Sequence, residues 1–320
     1  MNQVTLLDTS IATRNVGDEI IMDSVRREIA QLVPEAIVRT VPSHERLGGR
    51  TRELLNQSRL NIAGGTNLVG PPMAYNRLWK IGPTEIIRSP RVTLMGVGWR
   101  RYHARVTPYS QLLLRRALSD RAPHAVRDAF TRDKLHALGV RNILVTGCPT
   151  TWQLTDEHVA GLPQEKGREA VIVLNGKKDP AGFAAELFRQ ALAAYEKVYF
   201  WPQMVPDMRY LSELPAGVTP VDPTLVAYDR ILATPGIDYL GSRLHAGIRA
   251  LQHSRRTFIF ELDNRATEMG KTLGLPTFPA RVDADYLRSL IADPLVPQIR
   301  IPIETVDEWR SAVRGVVLPG

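Results

Sequence analysis

Residues 237–251 read IDYLGSRLHAGIRAL, and the pattern of this stretch changes once, at a glycine. The run 237–240 (IDYL) alternates apolar and polar residues at its start and has the length of a short strand. After Gly241 the apolar residues recur at helical spacing, so we expect a helix that begins within the SRLH segment. A strand that passes through a glycine into a helix is typical of α/β proteins, in which helices cover a parallel sheet on both faces.

The same alternation runs through the rest of the chain. In the first half, strands are predicted at 3–8, 36–41, 59–63, 91–97, 124–126 and 142–145. In the second half, strands are predicted at 170–174, 197–201, 237–240 and 257–261. Between the halves, residues 158–168 (HVAGLPQEKGR) are polar, contain glycine and proline, and predict a linker.

Two α/β halves joined by a linker predict two Rossmann-like domains that face a cleft. We place an N-terminal domain at 1–160 and a C-terminal domain at 168–300. Residues 301–320 are predicted to form a helix, for which packing on the N-terminal domain is one option. Ligands of open α/β sheets bind where the carboxyl ends of the strands meet, so polar residues that follow strands are the first candidates for a site.

The composition limits the classes of function. The chain has 320 residues, with 41 basic against 33 acidic residues and a formal net charge of +8. Such a charge suits nucleic acid, anionic lipid or a phosphorylated substrate, and the lack of a nucleic-acid-binding motif argues against the first. Cys148 is the only cysteine, which excludes an internal disulfide and argues against a structural zinc site. The sequence lacks a membrane-length apolar run and a secretion-signal pattern, so we expect a cytoplasmic protein.

The segment after Gly241 combines two side chains that suit an anionic substrate. Backbone N–H groups at a helix N-terminus attract anions, and Arg243 adds a planar, permanently charged guanidinium. His245 exchanges a proton near neutral pH and is a candidate general acid or base. The alternative is a helix whose first turn simply carries polar residues.

Two further polar segments follow predicted strands. Asn15, Gly17 and Asp18 lie in NVGDE, where Asp18 either caps the next helix or contacts a ligand hydroxyl. Gly64 and Gly65 follow the third strand and allow a ligand to approach the backbone closely. Neither segment is a GxGxxG or a GxxxxGKS/T motif, which argues against a dinucleotide or a nucleoside triphosphate as the main ligand.

Four segments of the chain together resemble the polysaccharide pyruvyl transferase family. They are NVGDEI (15–20), the glycine pair (64–65), VRDAFTRDKLHALGV (126–140) and SRLHAGIRAL (242–251). The resemblance implies a two-domain fold similar to the B-type glycosyltransferases. It also implies an enzyme that takes phosphoenolpyruvate as donor and forms a pyruvate ketal across two hydroxyls of a sugar. Such a reaction calls for a general acid or base and a clamp for two anionic groups, without a cofactor or a metal.

The resemblance also implies roles for individual residues. Arg243 would grip the phosphate or carboxylate of the donor and share catalysis with His245, the leading acid or base. Leu244 would present its backbone to the donor, and Ser242 and Arg127 would add further donor contacts. For Arg127, an ion pair with the next residue in the chain is the alternative. The acceptor side would be formed by Asn15, Gly17, Asp18, Gly64, Gly65 and Thr66.

The chain departs from the family pattern at three places. Thr66 stands where a third glycine is usual, GCPT (147–150) replaces a common Asp–Pro pair, and DNRATEMG (263–270) lacks the usual lysine. These departures leave the acceptor and the details of donor binding open. Two other functions stay open: a nucleotide-sugar-dependent glycosyltransferase, for which Glu261 and Asp263 are available, and a non-catalytic sugar- or phosphate-binding relative.

The expected partner is a carbohydrate of a surface polysaccharide or its lipid-linked precursor, and nucleic acid is not expected. A basic surface suits approach to the anionic inner face of the membrane, so peripheral association is a further expectation.

Overall fold

The protein is described by a computed structural model that covers residues 2–71, 73, 79–82, 87, 90–100, 105–180, 182–262 and 264–318. The chain divides into two compact units. The first consists of Met1–Thr13, Ile21–Trp152 and Pro302–Gly320, and the second of Arg14–Ile20 and Gln153–Ile301. The second unit therefore begins ahead of the predicted linker at 158–168.

The first unit contains a parallel sheet of four strands in the order β2-β1-β3-β4. Their bounds are β1 (Gln3–Asp8), β2 (Ile37–Pro42), β3 (Leu60–Gly64) and β4 (Thr93–Met95). A parallel pair, β5 (His124–Val126) and β6 (Ile143–Val145), follows in the chain. The Gly96 N–H donates to the Ala125 carbonyl at 2.9 Å, and the Arg127 N–H donates to the Val97 carbonyl at 3.1 Å, so the pair continues the sheet beyond β4.

Helices join these strands, as the alternating pattern predicts. They are α1 (Val16–Leu32), α2 (Gly49–Gln57), α3 (Pro108–Ala117) and α4 (Ala129–Ala137). In α1, the buried side chains of Ile21, Val25 and Ile29 recur at helical spacing, which explains why this segment forms a helix against the sheet. Thr107 caps α3 by accepting the Ser110 N–H at 3.1 Å, and Asp128 caps α4 by accepting the Thr131 N–H at 2.8 Å.

The second unit contains a parallel sheet of six strands in the order β12-β11-β10-β7-β8-β9. The strands are β7 (Glu169–Val173), β8 (Lys197–Phe200), β9 (Val218–Pro220), β10 (Ile237–Gly241), β11 (Thr257–Glu261) and β12 (Thr277–Pro279). Strands β8 and β9 lie on one side of β7, and β10, β11 and β12 lie on the other. This is the strand order of the doubly wound dinucleotide-binding fold, and its switch point lies between β7 and β10.

The helices of the second unit are α5 (Asp156–Ala160), α6 (Phe183–Ala194), α7 (Leu225–Leu232), α8 (Leu244–Gln252), α9 (Asn264–Leu273) and α10 (Ala284–Ala292). A 3-10 helix, Val205–Ser212, follows β8. The predicted linker is wrong at its start, because residues 158–160 belong to α5. Thr155 caps that helix by accepting the His158 N–H at 3.3 Å.

The C-terminal helix α11 (Ile303–Val317) belongs to the first unit. Its buried residues include Trp309, which meets Trp152 edge-on with ring centroids 5.4 Å apart. Arg310 makes two hydrogen bonds to Glu28, at 2.6 and 2.8 Å. Apolar packing and a forked ion pair therefore hold this helix in the first unit. Among the described residues, no helix is long and apolar enough to cross a membrane.

Candidate active site

The GSRLH segment lies at the switch point of the second unit, where the carboxyl ends of β7 and β10 are adjacent. The Ser242 N–H donates to the Val173 carbonyl at 2.9 Å. In return, the Ser242 hydroxyl accepts the Asn175 N–H at 2.9 Å. These two bonds fix the end of β7 to the start of α8 at the place where ligands of open α/β sheets bind.

The two glycines that flank this segment are required by packing. A methyl group on Gly241 would collide with the carbonyl oxygen of Val173, and one on Gly247 would lie 2.6 Å from a carbon of Ile259. Gly241 therefore lets β10 approach β7, and Gly247 lets α8 lie directly on β11. Both glycines serve the geometry of the switch point.

Arg243 is held by a buried carboxylate that the sequence analysis did not identify. Its Nε donates to Oδ2 of Asp207 at 3.1 Å, and its Nη2 donates to Oδ1 of the same residue. Asp207 is fully buried, and it also accepts the backbone N–H of Gly176 at 2.8 Å and of Met204 at 3.0 Å. The forked pair fixes the guanidinium plane, and no described residue hydrogen-bonds to Nη1 of Arg243.

Helix α8 starts without a side-chain cap, because Arg243 occupies the cap position and a guanidinium has no acceptor for the free N–H groups of the first turn. The Arg243 carbonyl accepts the Tyr239 hydroxyl at 2.7 Å, and burial raises the pKa of Tyr239, so this hydroxyl stays a donor. Leu244 and His245 form the buried first turn. An uncapped helix N-terminus beside an oriented guanidinium is suited to hold an anion.

The N-terminal motif belongs to the same unit. The Asn15 carboxamide oxygen accepts the Gly17 N–H at 3.1 Å and the Gln203 side-chain amide at 2.8 Å. The Val16 N–H donates to the Gln203 carbonyl at 3.0 Å. Asn15 therefore caps α1, a role that the sequence analysis considered for Asp18, and it links α1 to the segment that precedes Asp207. Asp18 is buried in the first turn of α1.

Arg127 belongs to the first unit, at the end of β5. Its Nε lies 3.4 Å from Oδ2 of Asp128, so the predicted ion pair between neighbours is present. The side chain is only 2 % exposed, and its Nη2 has no hydrogen-bond partner among the described residues. Oδ1 of Asn67, which follows β3, is also buried without a partner, and both atoms lie against Gly98. Since a buried polar group without a partner is costly, the pair marks a second candidate ligand contact.

The glycine pair of the first unit has a packing role. A methyl group on Gly64 would lie 2.6 Å from Val25, and one on Gly65 would collide with Ile21, both on α1. Gly65 also has a positive φ of 62°. These glycines let α1 approach β3, whereas the half-buried Thr66 follows them. Their predicted contact with an acceptor stays a prediction.

Among the described residues of the first unit, the other chemically active groups do not form a nucleophile or a metal site. Cys148 is fully buried, and burial raises the pKa of its thiol, as expected for an inert cysteine. Within the described ranges, no group of three or more His, Cys, Asp or Glu residues is placed to hold a metal ion. Asp263 lies outside the described residues.

Two lysines near the switch point are not among the predicted site residues. Lys177 and Lys178 are exposed in the loop after β7, where the Lys177 N–H donates to the Asn175 side chain at 3.0 Å. The run NGKKDP (175–180) directly follows a strand, so the rule that ligands bind at the carboxyl ends of strands could have identified both. Asp207 follows β8 and could have been found by the same rule.

Comparison with known proteins identifies the family. The family model for polysaccharide pyruvyl transferase matches residues 15–264, which include both the Asn15 motif and the SRLH segment. The chain belongs to the polysaccharide pyruvyl transferase family. The predicted resemblance is therefore confirmed, and the family is one of transferases. A search of curated proteins finds no match.

Several solved structures resemble this chain. A UDP-N-acetylglucosamine 2-epimerase is 13% identical, with 99% of this chain and 94% of that chain covered and a TM-score of 0.54. MnaA from S. aureus, solved with UDP, is 9% identical, with 91% and 87% covered and a TM-score of 0.52. UGT89C1 from Arabidopsis thaliana, solved with quercetin, is 8% identical, with 98% and 93% covered and a TM-score of 0.44. The two parallel sheets, together with the two structures whose TM-scores exceed 0.5, confirm the prediction of two Rossmann-like α/β domains.

Proposed function

We propose that the protein transfers a pyruvyl group from phosphoenolpyruvate to two hydroxyls of a sugar in a surface polysaccharide or its lipid-linked precursor. The observation that carries the proposal is the arrangement at the switch point of the second unit. There Asp207 orients Arg243 at the uncapped N-terminus of α8, with His245 in the first turn. Family membership supports the same reaction class.

In the proposed complex, an anionic group of the donor binds at the N-terminus of α8. The Asp207 carboxylate balances the charge of Arg243, so the contribution of Arg243 is a directed hydrogen bond from Nη1. The helix dipole supplies much of the remaining attraction for the anion. Lys177 and Lys178 lie in the neighbouring strand-end loop and add positive charge to the approach of the donor.

The proposed reaction begins when His245 protonates the methylene carbon of the donor, which leaves an oxocarbenium-like carbon. One sugar hydroxyl attacks that carbon and loses its proton. The bond from this carbon to the phosphate oxygen then breaks, and phosphate leaves with its oxygen. The second hydroxyl attacks the same carbon and loses its proton, which closes the ketal. One proton enters the methyl group and one leaves with hydrogen phosphate, so the two hydroxyl protons are accounted for.

The first test is phosphate release from phosphoenolpyruvate in the presence of lipid-linked oligosaccharide acceptors. The wild-type protein is expected to release phosphate only when acceptor is present, and Arg243→Ala is expected to release none. Arg127→Ala tests the predicted donor contact of the first unit separately. Lys271→Ala is a matched control, because Lys271 is an exposed residue of α9 outside the switch point.

A glycosyltransferase that uses a nucleotide sugar is the competing proposal. Glu261 ends β11, at the same edge of the sheet as the switch point, and its carboxylate accepts the Thr267 hydroxyl at 2.9 Å. This hydrogen bond uses one carboxylate oxygen, and the other has none among the described residues. A rise in melting temperature with UDP-sugars and none with phosphoenolpyruvate would favour this function over pyruvyl transfer. Stabilisation by either ligand without turnover would instead favour a non-catalytic binding protein.

The acceptor and the place of the reaction are further parts of the proposal. The two-hydroxyl chemistry requires a sugar with two free hydroxyls close enough to close a cyclic ketal, and a lipid-linked precursor would be met at the inner face of the membrane. We propose that the protein works in the cytoplasm, needs no cofactor, and associates with that face peripherally.

A further inference from the structure

An open groove of about 620 Å³ lies in the first unit, at the edge of the sheet where β4, β5 and β6 begin. One wall is α3 and the residue that follows it, and the other is the turn from α4 to β6. The predicted ligand residues of this unit follow the opposite, carboxyl ends of the strands, so the groove is separate from them. Its lining includes four arginines (Arg91, Arg115, Arg116 and Arg141) together with Leu112, Asp120 and His124.

The groove carries a positive charge that its own residues do not neutralise. Among the residues that line the groove, the acidic one is Asp120, and it forms an ion pair with Arg91. Arg115, Arg116 and Arg141 are exposed, and none forms an ion pair with a described residue. Burial lowers the pKa of the fifth basic residue, His124, to about 4, so it is neutral at pH 7. Three arginines therefore present their charge to solvent at one site.

Apolar side chains lie on the same helix as two of these arginines. Leu112 is 51% exposed and Tyr109 is 41% exposed, although α3 buries its opposite side through Leu113 and Leu114. Tyr109, Leu112 and Arg116 are spaced i, i+3 and i+7, so they share the outer face of the helix. Two exposed apolar side chains on the same helix face as unpaired arginines suit the boundary between lipid headgroups and acyl chains.

We propose that this surface, formed by Tyr109, Leu112, Arg115, Arg116 and Arg141, docks the protein on an anionic phospholipid membrane. The arginines bind lipid phosphates while their methylene stems lie along the headgroups, and Leu112 and Tyr109 enter the acyl boundary. This surface would produce the peripheral association proposed above, and it acts independently of the reaction. A soluble polyanion would be held by the arginines alone and would leave Leu112 in water.

The test is co-sedimentation of the full-length protein, without donor, with vesicles of phosphatidylcholine and with vesicles that also contain phosphatidylglycerol. The wild type is expected to bind only the anionic vesicles. Each basic residue near a membrane surface contributes about 1 kcal/mol, so Arg115→Ala/Arg116→Ala is expected to bind roughly 30-fold more weakly. Leu112→Ser is expected to weaken binding a few-fold. The charge-matched control Arg230→Ala/Lys271→Ala changes exposed residues outside the groove and is expected to bind like the wild type.

Three outcomes would overturn the proposal: no binding of the wild type to anionic vesicles, equal losses in the groove variant and the control, or full retention by the groove variant. Binding of inorganic phosphate that depends on Arg115 and Arg116, without vesicle binding, would assign the groove to a soluble phosphorylated ligand instead. The groove variant is expected to keep wild-type phosphate release with a water-soluble acceptor. Failure of docking and failure of the proposed reaction are therefore observed separately.

Discussion

Removal of the Asp207 carboxylate is expected to destabilise the second unit strongly. In Asp207→Ala the guanidinium of Arg243, which is 7% exposed, loses both of its hydrogen bonds, and the N–H groups of Gly176 and Met204 lose their acceptor. Breaking a buried pair by removing one partner costs about 3–5 kcal/mol. For a unit of this size 1 kcal/mol corresponds to roughly 2–4 °C, so the melting temperature should fall by about 6 °C or more.

A double-mutant cycle separates the pair from its surroundings. Asp207→Ala, Arg243→Met and the double variant are compared by thermal unfolding followed with circular dichroism. Because the double variant leaves no unpaired charge, its loss should be smaller than the sum of the single losses by about 1.5 kcal/mol or more. Arg288→Ala, which removes an exposed ion pair with Asp285, is the control and should melt like the wild type. Additive losses, or an Asp207→Ala protein as stable as the wild type, would refute the assigned role of Asp207.

Three further predictions concern packing and pH. Gly241→Ala should destabilise the protein by about 2 kcal/mol or more, because the new methyl group collides with the Val173 carbonyl. Gly315→Ala should instead stabilise the protein by about 0.5–1 kcal/mol, because Gly315 lies in α11 with open space around it. Thermal melts in which both variants behave like the wild type would contradict this prediction. The folded-state pKa of His124, about 4, lies below its unfolded value, so its contribution to stability is present above pH 6.5 and is lost as the pH falls towards 4. Urea titrations should therefore show a weaker fall in stability over this range for His124→Gln, and an identical slope would count against the buried neutral ring. Trp309→Ala should lower the free energy of unfolding by about 3–5 kcal/mol in urea titrations, because this side chain is fully buried in the first unit. A loss below about 1 kcal/mol would mean that α11 adds little to the stability of that unit.

The strand and helix pattern of the switch point could be predicted from the sequence because its signals are local. The run 237–240 predicts β10, and the flanking glycine with helical spacing beyond it predicts α8, as the structure shows. The short strands β9 and β12 were not predicted, because each ends in proline and follows another proline closely, and proline in a short run argues against a strand. Helix α5 was mistaken for a linker although Thr155 and the acidic residues after it provide a helix start signal.

The partners of the candidate site residues could not be predicted in the same way. Arg243 and Asp207 are 36 residues apart, so no local pattern indicates that the two side chains meet. Only the order of the strands brings β8 and β10 to the two sides of β7 and places the two side chains together. By contrast, the Arg127–Asp128 ion pair could be considered from the sequence as an alternative to a donor contact, because its members are adjacent in the chain.

The central claim is tested most directly with phosphoenolpyruvate labelled with carbon-13 at the carbon that bears the phosphate oxygen. After incubation with the protein and a lipid-linked oligosaccharide, the carbohydrate product is purified and its labelled carbon is observed by NMR. The proposed function predicts a ketal carbon bonded to two sugar oxygens, with release of an equal amount of phosphate and no product from Arg243→Ala. Label found only in unreacted donor or in free pyruvate, with every acceptor supplied, would contradict it.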